Sequence, residues 1–254
     1  MRLDVYLTDK RLCKSRTAAQ NLIKQGGVTV NGAVCEKPSA DVTERDTVSI
    51  TGEQLHYVGR GGLKLEKALS EFGIELSGAV CLDIGASTGG FTDCMLQNGA
   101  ALVLAVDVGR DQLDEKLRKD DRVVSLEQTD IRSFSYDCCW DRLPQGFCGA
   151  DFVGTDVSFI SLKLILPHIY RLLRTGGNAA VLIKPQFEAA SALCAGKSAI
   201  GKNGIVKDEK IRRRIVEEIS QFALQCGFAV GGTAESPIKG GSGNTEYLMY
   251  LKKE

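Results

Sequence analysis

Short apolar runs alternate with polar, helix-like segments in the part of the chain that follows Ala79. The runs recur along the chain, at residues 80–84, 102–106, 123–126, 152–157 and 179–183. Parallel strands covered by helices on both faces of a sheet have this pattern, because they are buried along their length. A helix predicted over 208–226 is followed by apolar stretches at 228–230 and 246–251, which indicate a closing antiparallel pair. The pattern therefore predicts an α/β domain of about seven strands, mostly parallel, with helices on both faces.

The N-terminal part of the chain has a different pattern, with shorter elements. Apolar residues within 3–12 predict a short opening helix, and Ser15 is positioned to cap a second helix that ends at Gly26. The strand-like stretch 28–30 runs into an Asn-Gly pair, which is typical of a type I′ hairpin, and another short strand is predicted at 46–50. This segment is expected to be a small, separate α+β module.

Four closely spaced glycines follow the N-terminal module and mark a boundary. We place the N-terminal domain at 1–52, a linker at 53–62 and the larger domain at 63–254, which opens with an amphipathic helix over 63–72. A glycine- and lysine-containing stretch at 188–206 is predicted to be a long loop.

The charge of the chain is balanced overall and uneven locally. With 32 basic and 32 acidic side chains, the net charge gives no reason to expect a polyanionic partner. The stretch from Lys10 to Lys24, however, contains five basic residues and no carboxylate. Such a face favours sequence-independent phosphate contacts, although charge alone more often marks a solvated helix surface.

Cysteine usage and hydropathy indicate the cellular compartment. The nine cysteines include no Cys-x-x-Cys pair, and the chain has only two histidines. We therefore predict neither a disulfide framework nor a metal site, and we expect the thiols to be small core residues in a reducing compartment. No apolar run reaches the roughly 18 residues of a membrane span, and the N-terminus lacks a signal-peptide core. These features predict a cytoplasmic protein without a membrane partner.

The most specific local motif, Asp-Ile-Gly-Ala-Ser-Thr-Gly-Gly-Phe, spans residues 83–91, where a predicted strand is followed by a helix. Glycines let the backbone approach a ligand closely, and a helix N-terminus favours negative charge. The acid ahead of the first glycine distinguishes the motif from dinucleotide-binding G-x-G-x-x-G loops and resembles the methyl-donor loop of Rossmann-like methyltransferases. The predicted cofactor contacts of this loop are Asp83, Gly85, Ser87, Thr88, Gly89, Gly90 and Phe91.

Two further acids follow the next two predicted strands. Asp107 lies at the spacing at which nucleotide-binding folds place the carboxylate that binds the ribose hydroxyls. Asp130, followed by Ile131, is predicted to hold the adenine amino group. A single acid of this kind is more often a turn residue or a helix cap, but three in register with the glycine loop indicate cofactor binding.

Lysines and carboxylates at predicted element ends form the candidate catalytic set, which consists of Lys64, Asp156, Lys184 and Glu246. Asp156 and Lys184 follow the fourth and fifth predicted strands, where parallel sheets bind ligands, so Asp156 is also expected to contact the cofactor. Methyl transfer to a ribose 2′-hydroxyl needs a base, and Lys184 can serve in its neutral form, which desolvation and a nearby cation, Lys64, favour. Asp156 and Glu246 would orient the two amines. Taken singly, Lys64 and Glu246 are also typical of solvated surfaces.

These motifs together resemble the TlyA family, sometimes called hemolysins, whose catalytic part is similar to the FtsJ group of ribose 2′-O-methyltransferases. The resemblance covers nearly the whole chain and rests on the loop 83–91 and on Lys64, Asp156, Lys184 and Glu246, which match the family's K-D-K-E tetrad. It implies a Rossmann-like methyltransferase domain, S-adenosyl-L-methionine as the methyl donor, and cytidine ribose in ribosomal RNA as the acceptor.

The N-terminal module resembles the RNA-binding domain of ribosomal small-subunit protein S-four. The resemblance implies RNA contacts by Arg2, Lys14, Arg16 and Lys37, and it favours the docking interpretation of the basic face. Family members that also modify the small subunit carry a short basic N-terminal extension, whereas this module starts at Arg2. We therefore expect large-subunit RNA as the substrate, and we predict no stable protein partner.

Three other functions stay open from the sequence. In a base-amino methyltransferase, residues 156–159 would replace the usual N-P-P-Y motif, with Phe159 stacking on the base. A membrane-lytic activity, suggested by the hemolysin name, has no spanning segment and no strongly basic amphipathic helix in its favour. The third is a ribosome-assembly factor that binds RNA and donor without turnover, against which the intact Lys64 and Lys184 argue.

Overall fold

The computed structural model describes residues 1–13, 15–24, 27–50, 56–189, 201, 204–240 and 243–254. The chain divides into two compact units, Met1–His56 and Tyr57–Glu254. This division falls inside the predicted linker. Most of the predicted loop at 188–206 lies outside the described residues, as does Lys14 among the predicted RNA contacts.

The N-terminal unit packs two helices against a small antiparallel sheet of order β2-β1-β3. Its elements are α1 (Leu3–Asp9), α2 (Arg16–Lys24), β1 (Val28–Val30), β2 (Ala33–Val34) and β3 (Val48–Ile50). Two predicted local signals are confirmed. Ser15 Oγ accepts a hydrogen bond from the Ala18 N–H at 3.2 Å, and Asn31 and Gly32 have the positive φ angles, 53° and 82°, of a type I′ turn.

The larger unit contains a seven-stranded sheet of order β6-β5-β4-β7-β8-β10-β9, in which β10 runs opposite to the other six strands. Its elements are α3 (Gly61–Phe72), β4 (Val80–Ile84), α4 (Gly90–Gln97), β5 (Leu102–Val106), α5 (Glu115–Arg118), β6 (Val123–Leu126), β7 (Ala150–Thr155), α6 (Leu166–Leu172), β8 (Leu173–Ile183), α7 (Pro185–Glu188), α8 (Glu209–Gln225), β9 (Phe228–Glu235) and β10 (Tyr247–Lys253), with 3-10 turns at Tyr136–Arg142 and Leu162–Leu164. The predicted fold class, including the closing antiparallel pair, is confirmed.

Helices cover both faces of this sheet, as predicted. Successive residues of the central strand β4 point to opposite sides. Leu82 and Ile84 belong to a core with residues of α6 and α8, whereas Cys81 belongs to a second core with residues of α3 and α4.

Several predicted element boundaries differ from the structure, the largest difference being at β8, which begins at Leu173 rather than at residue 179. Helix α3 begins at Gly61 rather than at Leu63, and β7 ends at Thr155 rather than at Val157. Asp156 still donates its N–H to Ile84 O at 3.1 Å before the chain leaves the sheet. An apolar run continues past this point, so hydrophobicity alone does not show where strand pairing ends.

The expected burial of the thiols is wrong for two of them. Cys81, Cys94 and Cys139 are buried, but Cys138 and Cys148 are exposed. These two belong to a 3-10 turn and the loop after it, which run over the surface. Among the described residues, no group of His, Cys, Asp and Glu is placed to hold a metal, and none of the described helices is long and apolar enough to cross a membrane.

Candidate active site

The candidate site lies where the direction of strand succession reverses. The chain proceeds from β4 to β5 and β6 on one side, and from β7 to β8 on the other. In such sheets ligands bind outside the carboxyl ends of the strands at this reversal. The glycine loop follows β4, Asp156 follows β7 and Lys184 follows β8, so three predicted site segments share this edge.

The four predicted catalytic side chains come together in one buried cluster. Lys64 Nζ, from α3, lies 2.8 Å from Glu246 Oε2 and 3.2 Å from Asp156 Oδ2. Lys184 Nζ lies 2.6 Å from Asp156 Oδ1. Lys64, Lys184 and Glu246 are 7%, 8% and 2% exposed. Asp156 therefore bridges two lysine side chains, and two carboxylates lie beside two amines away from bulk water.

Burial and ion pairing act in opposite directions on Asp156. Burial raises the pKa of its carboxyl group, but the adjacent Lys64 and Lys184 lower it by more, so the pKa of Asp156 lies below its ordinary value. Asp156 is consequently a carboxylate that holds the two amines in place.

Three residues that the sequence analysis did not identify support the cluster. Ser158 Oγ accepts a hydrogen bond from Lys184 Nζ at 2.8 Å, and Gln186 Nε2 donates to Glu246 Oε1 at 3.2 Å. A Cβ at Gly240 would collide with the Glu246 carboxylate, so any larger residue there would have to displace that carboxylate. Ser158 and Gln186 each lie two residues after a predicted site residue, which is the one local signal that could have pointed to them.

The backbone of the loop after β4 forms one wall of a cavity. Gly85 and Gly89 have φ angles of 81° and 95°, which favour glycine. A Cβ at Gly85 would lie 2.9 Å from Asp156 O, so a side chain there would fill the space between the two loops. The cavity beside it has a volume of about 200 Å³ and is lined by Gly61, Gly85, Ala86, Ser87, Thr88, Gly90, Phe91, Asp156, Ser158 and Lys184.

A second cavity, of about 430 Å³, shares part of its wall with the first and extends over the ends of β5 and β6. Its lining includes Asp107, Asp130 and Ile131, so these predicted cofactor contacts face a common space. Asp107 is fixed by backbone N–H groups: Ser87 donates to Oδ2 at 2.8 Å and Gly109 to Oδ1 at 2.7 Å. Together the two cavities offer a nucleoside-sized volume that ends at Lys184.

Two predicted cofactor contacts are placed differently from the rest. Asp83 is fully buried beneath the loop, where its Oδ2 accepts a hydrogen bond from Thr92 Oγ1 at 2.6 Å, and Gly89 packs against Leu117. Neither lines the two cavities. Burial raises the pKa of Asp83 to about 7, and its Oδ1 has no hydrogen-bond partner among the described residues. The geometry supports a role for Asp83 in shaping the loop.

Asp130 is already engaged by a neighbouring cation. Arg132 donates to it with Nε at 3.0 Å and Nη2 at 2.6 Å, and this pairing lowers the pKa of Asp130 to about 2. A ligand amino group at this position would therefore share the carboxylate with Arg132.

The predicted RNA contacts of the N-terminal unit fall into two groups. Arg2 and Arg16 are brought together, since both donate hydrogen bonds to Asp4. Lys37 is exposed in the segment after β2.

Comparisons with known proteins agree with both units. Residues 57–253 match the family model of FtsJ-like methyltransferases, and residues 1–48 match that of the S4 domain. The 16S/23S rRNA (cytidine-2′-O)-methyltransferase TlyA of Mycobacterium tuberculosis is 38% identical over 100% of this chain and 90% of its own length. The 23S rRNA (cytidine-2′-O)-methyltransferase TlyA of Campylobacter jejuni is 33% identical over 100% of both chains.

A solved structure from Streptococcus thermophilus, provisionally described as a hemolysin, is 44% identical with a TM-score of 0.76 over 100% of this chain and 88% of that one. The fold and the full-length similarity thus agree with the motifs. The chain belongs to the FtsJ-like methyltransferases, within the TlyA and hemolysin A-like group, and carries an S4 domain at its N-terminus.

Proposed function

We propose that the protein transfers a methyl group from S-adenosyl-L-methionine to the 2′-hydroxyl of a cytidine ribose in ribosomal RNA, with Lys184 as the base. The observation that carries this proposal is the position of Lys184 Nζ, fixed by Asp156 and Ser158 at the end of the cavity formed by the glycine loop. With ribosomal RNA as the acceptor, the enzyme acts in the cytoplasm.

The contacts of Lys184 suit a base with one directed lone pair. A neutral amine has two N–H groups and one lone pair. Ser158 Oγ accepts one N–H group, and Asp156 Oδ1 lies 2.6 Å from Nζ as an ion-pair partner, so in this proposal the lone pair is directed at the substrate hydroxyl. Lys184 Nζ takes the 2′-hydroxyl proton while the oxygen attacks the methyl carbon. When bound, S-adenosyl-L-methionine supplies an electrophilic methyl group on a sulfonium that leaves as a neutral thioether.

The donor would lie across both cavities. The glycine loop would contact the donor through the backbone of Ser87, Thr88 and Gly90. Asp107 would accept hydrogen bonds from the ribose hydroxyls, and the adenine would lie beside Asp130 and Ile131. Phe159, exposed and beside the Phe187 ring, borders the second cavity and offers a surface on which a base can stack.

Large-subunit RNA is the favoured acceptor. Both named TlyA relatives include 23S rRNA in their activity, while only one includes 16S rRNA. The S4 domain would dock on the RNA and take no part in the chemistry.

The alternative functions find less support. A base-amino methyltransferase needs an acceptor carboxylate for the amino group, but both oxygens of Asp156 are engaged by lysines. A non-catalytic assembly factor would have no use for an intact cluster of buried charges, whose desolvation is costly. Membrane lysis has no supporting observation in the described helices.

The test incubates wild type and Lys184→Ala with methyl-labelled donor and separated ribosomal subunits. We expect the wild type to label large subunits, in a dinucleotide that resists alkaline hydrolysis, and Lys184→Ala to lose the label while retaining donor binding. Lys67→Ala, which removes an exposed lysine of α3, is the matched control and should label normally. Equal labelling by Lys184→Ala would overturn the role of the base, and an alkali-sensitive product would overturn the ribose acceptor.

A further inference from the structure

Asp4, in the first turn of α1, is a fully buried carboxylate that pairs with two arginines of the N-terminal unit. A buried carboxylate is costly unless it is paired and hydrogen-bonded. The groups around Asp4 therefore show what the residue holds in place.

Five donors saturate this carboxylate. Arg2 binds it with two groups, Nε to Oδ1 and Nη2 to Oδ2, both at 2.9 Å. Arg16 Nε donates to Oδ2 at 3.0 Å and Gln20 Nε2 donates to Oδ2 at 2.7 Å. The Val5 N–H donates to Oδ1 at 3.0 Å. Hydrogen bonds from Arg2 hold the pKa of Asp4 well below its usual range, against the opposing effect of burial.

The two arginines are only partly engaged by this contact. Their side chains are 44% and 56% exposed, although the carboxylate they bind is 0% exposed. Among the described residues, no hydrogen-bond partner is found for Nη1 of Arg2 or for either Nη of Arg16. The two arginines and Asp4 sum to one positive charge, with the Asp41 carboxylate also acting on Arg2, and several guanidinium donors have no hydrogen-bond partner among the described residues.

We propose that Asp4 is a positioning residue that fixes Arg2 and Arg16 as a preorganised phosphate-binding pair. Arginine binds phosphate through a planar fork, and holding the fork in place beforehand removes part of the entropy cost of binding. This inference rests on the proposed function, since it deepens the role of the N-terminal unit in binding ribosomal RNA.

Electrostatics and positioning predict opposite results for Asp4→Asn. The variant removes a negative charge next to a polyanion, so charge alone would strengthen RNA binding. If Asp4 positions the arginines, the same variant weakens binding. Asp9→Asn, at the exposed end of α1, makes the same chemical change away from the arginines and is the matched control.

The experiment measures the dissociation constant of full-length protein for purified large ribosomal subunits at several salt concentrations. We expect Asp4→Asn to raise it about 5-fold or more and to reduce the salt slope by about 1, as expected for a lost phosphate contact. Asp9→Asn should bind as tightly as wild type, or more tightly. The KM for RNA should rise in Asp4→Asn with little change in kcat, which a general loss of folding would not produce.

A second variant avoids the buried site in case Asp4→Asn does not fold. Arg16→Lys retains the positive charge but lacks the Nε donor to Asp4. Positioning therefore predicts weaker RNA binding by this variant, whereas charge alone predicts unchanged RNA binding. Unchanged or tighter binding by Asp4→Asn, or by Arg16→Lys if the former is unfolded, would overturn the role of Asp4. Absence of RNA binding by the wild type would instead overturn the proposed function itself.

Discussion

The two units use carboxylates to hold cations, but they direct the cations differently. In the N-terminal unit, buried Asp4 holds Arg2 and Arg16, whose side chains are about half exposed. In the methyltransferase unit, Asp156 and Glu246 hold Lys64 and Lys184, whose side chains are 9% exposed. If the proposed roles hold, one kind of ion pair serves two purposes: the exposed cations would bind a polyanion, whereas the buried amines would carry chemistry that water would disturb.

Another buried carboxylate, Asp83, has no cation in contact among the described residues. Asp4 and Asp83 are both 0% exposed, yet the pKa of Asp4 is lowered by arginines and that of Asp83 is raised to about 7 by burial. The partner of a buried acid, more than its burial, therefore decides its charge at neutral pH.

The largest expected effect on stability and activity comes from removing Glu246, the buried carboxylate that pairs with Lys64. Glu246→Ala leaves Lys64 buried with Asp156 as its remaining carboxylate, so we expect the free energy of unfolding to fall by about 3 kcal/mol. We expect the rate of methyl transfer to fall about 100-fold or more. Glu71→Ala, which breaks the exposed pair with Lys67 on the same helix, should cost less than about 1 kcal/mol. Similar losses in the two variants, by denaturant unfolding, would contradict the comparison.

The raised pKa of Asp83 predicts a pH effect on stability. The folded state keeps the proton of Asp83 up to about pH 7, whereas the unfolded chain releases it near pH 4, so the free energy of unfolding falls as pH rises through this window. Asp83→Asn cannot ionise. Relative to wild type, we expect its free energy of unfolding to increase by about 2 kcal/mol between pH 5 and pH 8. A constant difference would show that Asp83 ionises normally.

Salt should affect the two units differently, as measured by the KM for RNA in one case and by kcat in the other. Raising the salt concentration from about 50 mM to about 200 mM should raise the KM for RNA about 10-fold, because exposed cations release counterions on binding. At saturating RNA, kcat should change less than about 2-fold, because buried pairs are weakly screened. In steady-state methylation assays, a fall in kcat with constant KM would contradict the proposal that the exposed arginines bind RNA and the buried lysines serve the chemistry.

The smallest effect comes from crowding the cluster without removing a charge. In Gly240→Ala the new methyl group displaces the Glu246 carboxylate, so we expect kcat to fall about 5-fold while the free energy of unfolding falls by about 1 kcal/mol. Combining it with Glu246→Asp, which is one methylene shorter, should restore part of kcat. If the double variant is slower than both single variants, the steric explanation is wrong.

Much of the fold could be predicted from the sequence because its signals are local. The bounds of β4, β5 and β6 match the apolar runs, and the Asn-Gly hairpin and the Ser15 cap follow from short-range rules. Where an element boundary depends on pairing with a distant strand, the predicted boundary is wrong by a few residues, as at the end of β7. Two members of the candidate catalytic set, Asp156 and Lys184, could be placed together because the ends of parallel strands meet at one edge of the sheet. Lys64 and Glu246 lie on other elements and joined the set through the resemblance to the family's K-D-K-E tetrad.

Local sequence patterns establish the element types and the glycine loop, and they place Asp156 and Lys184 at the same edge of the sheet. The pairing of the charges is visible only in the folded chain: Lys64 contacts Asp156 and Glu246, which are 92 and 182 residues away in the sequence. The same holds for Ser158 beside Lys184, for the close approach of Gly240 to Glu246 and for the arginines gathered on Asp4. Periodicity reports the side of an element on which a residue lies, whereas pairing depends on side chains from distant elements, which only packing brings within hydrogen-bond distance.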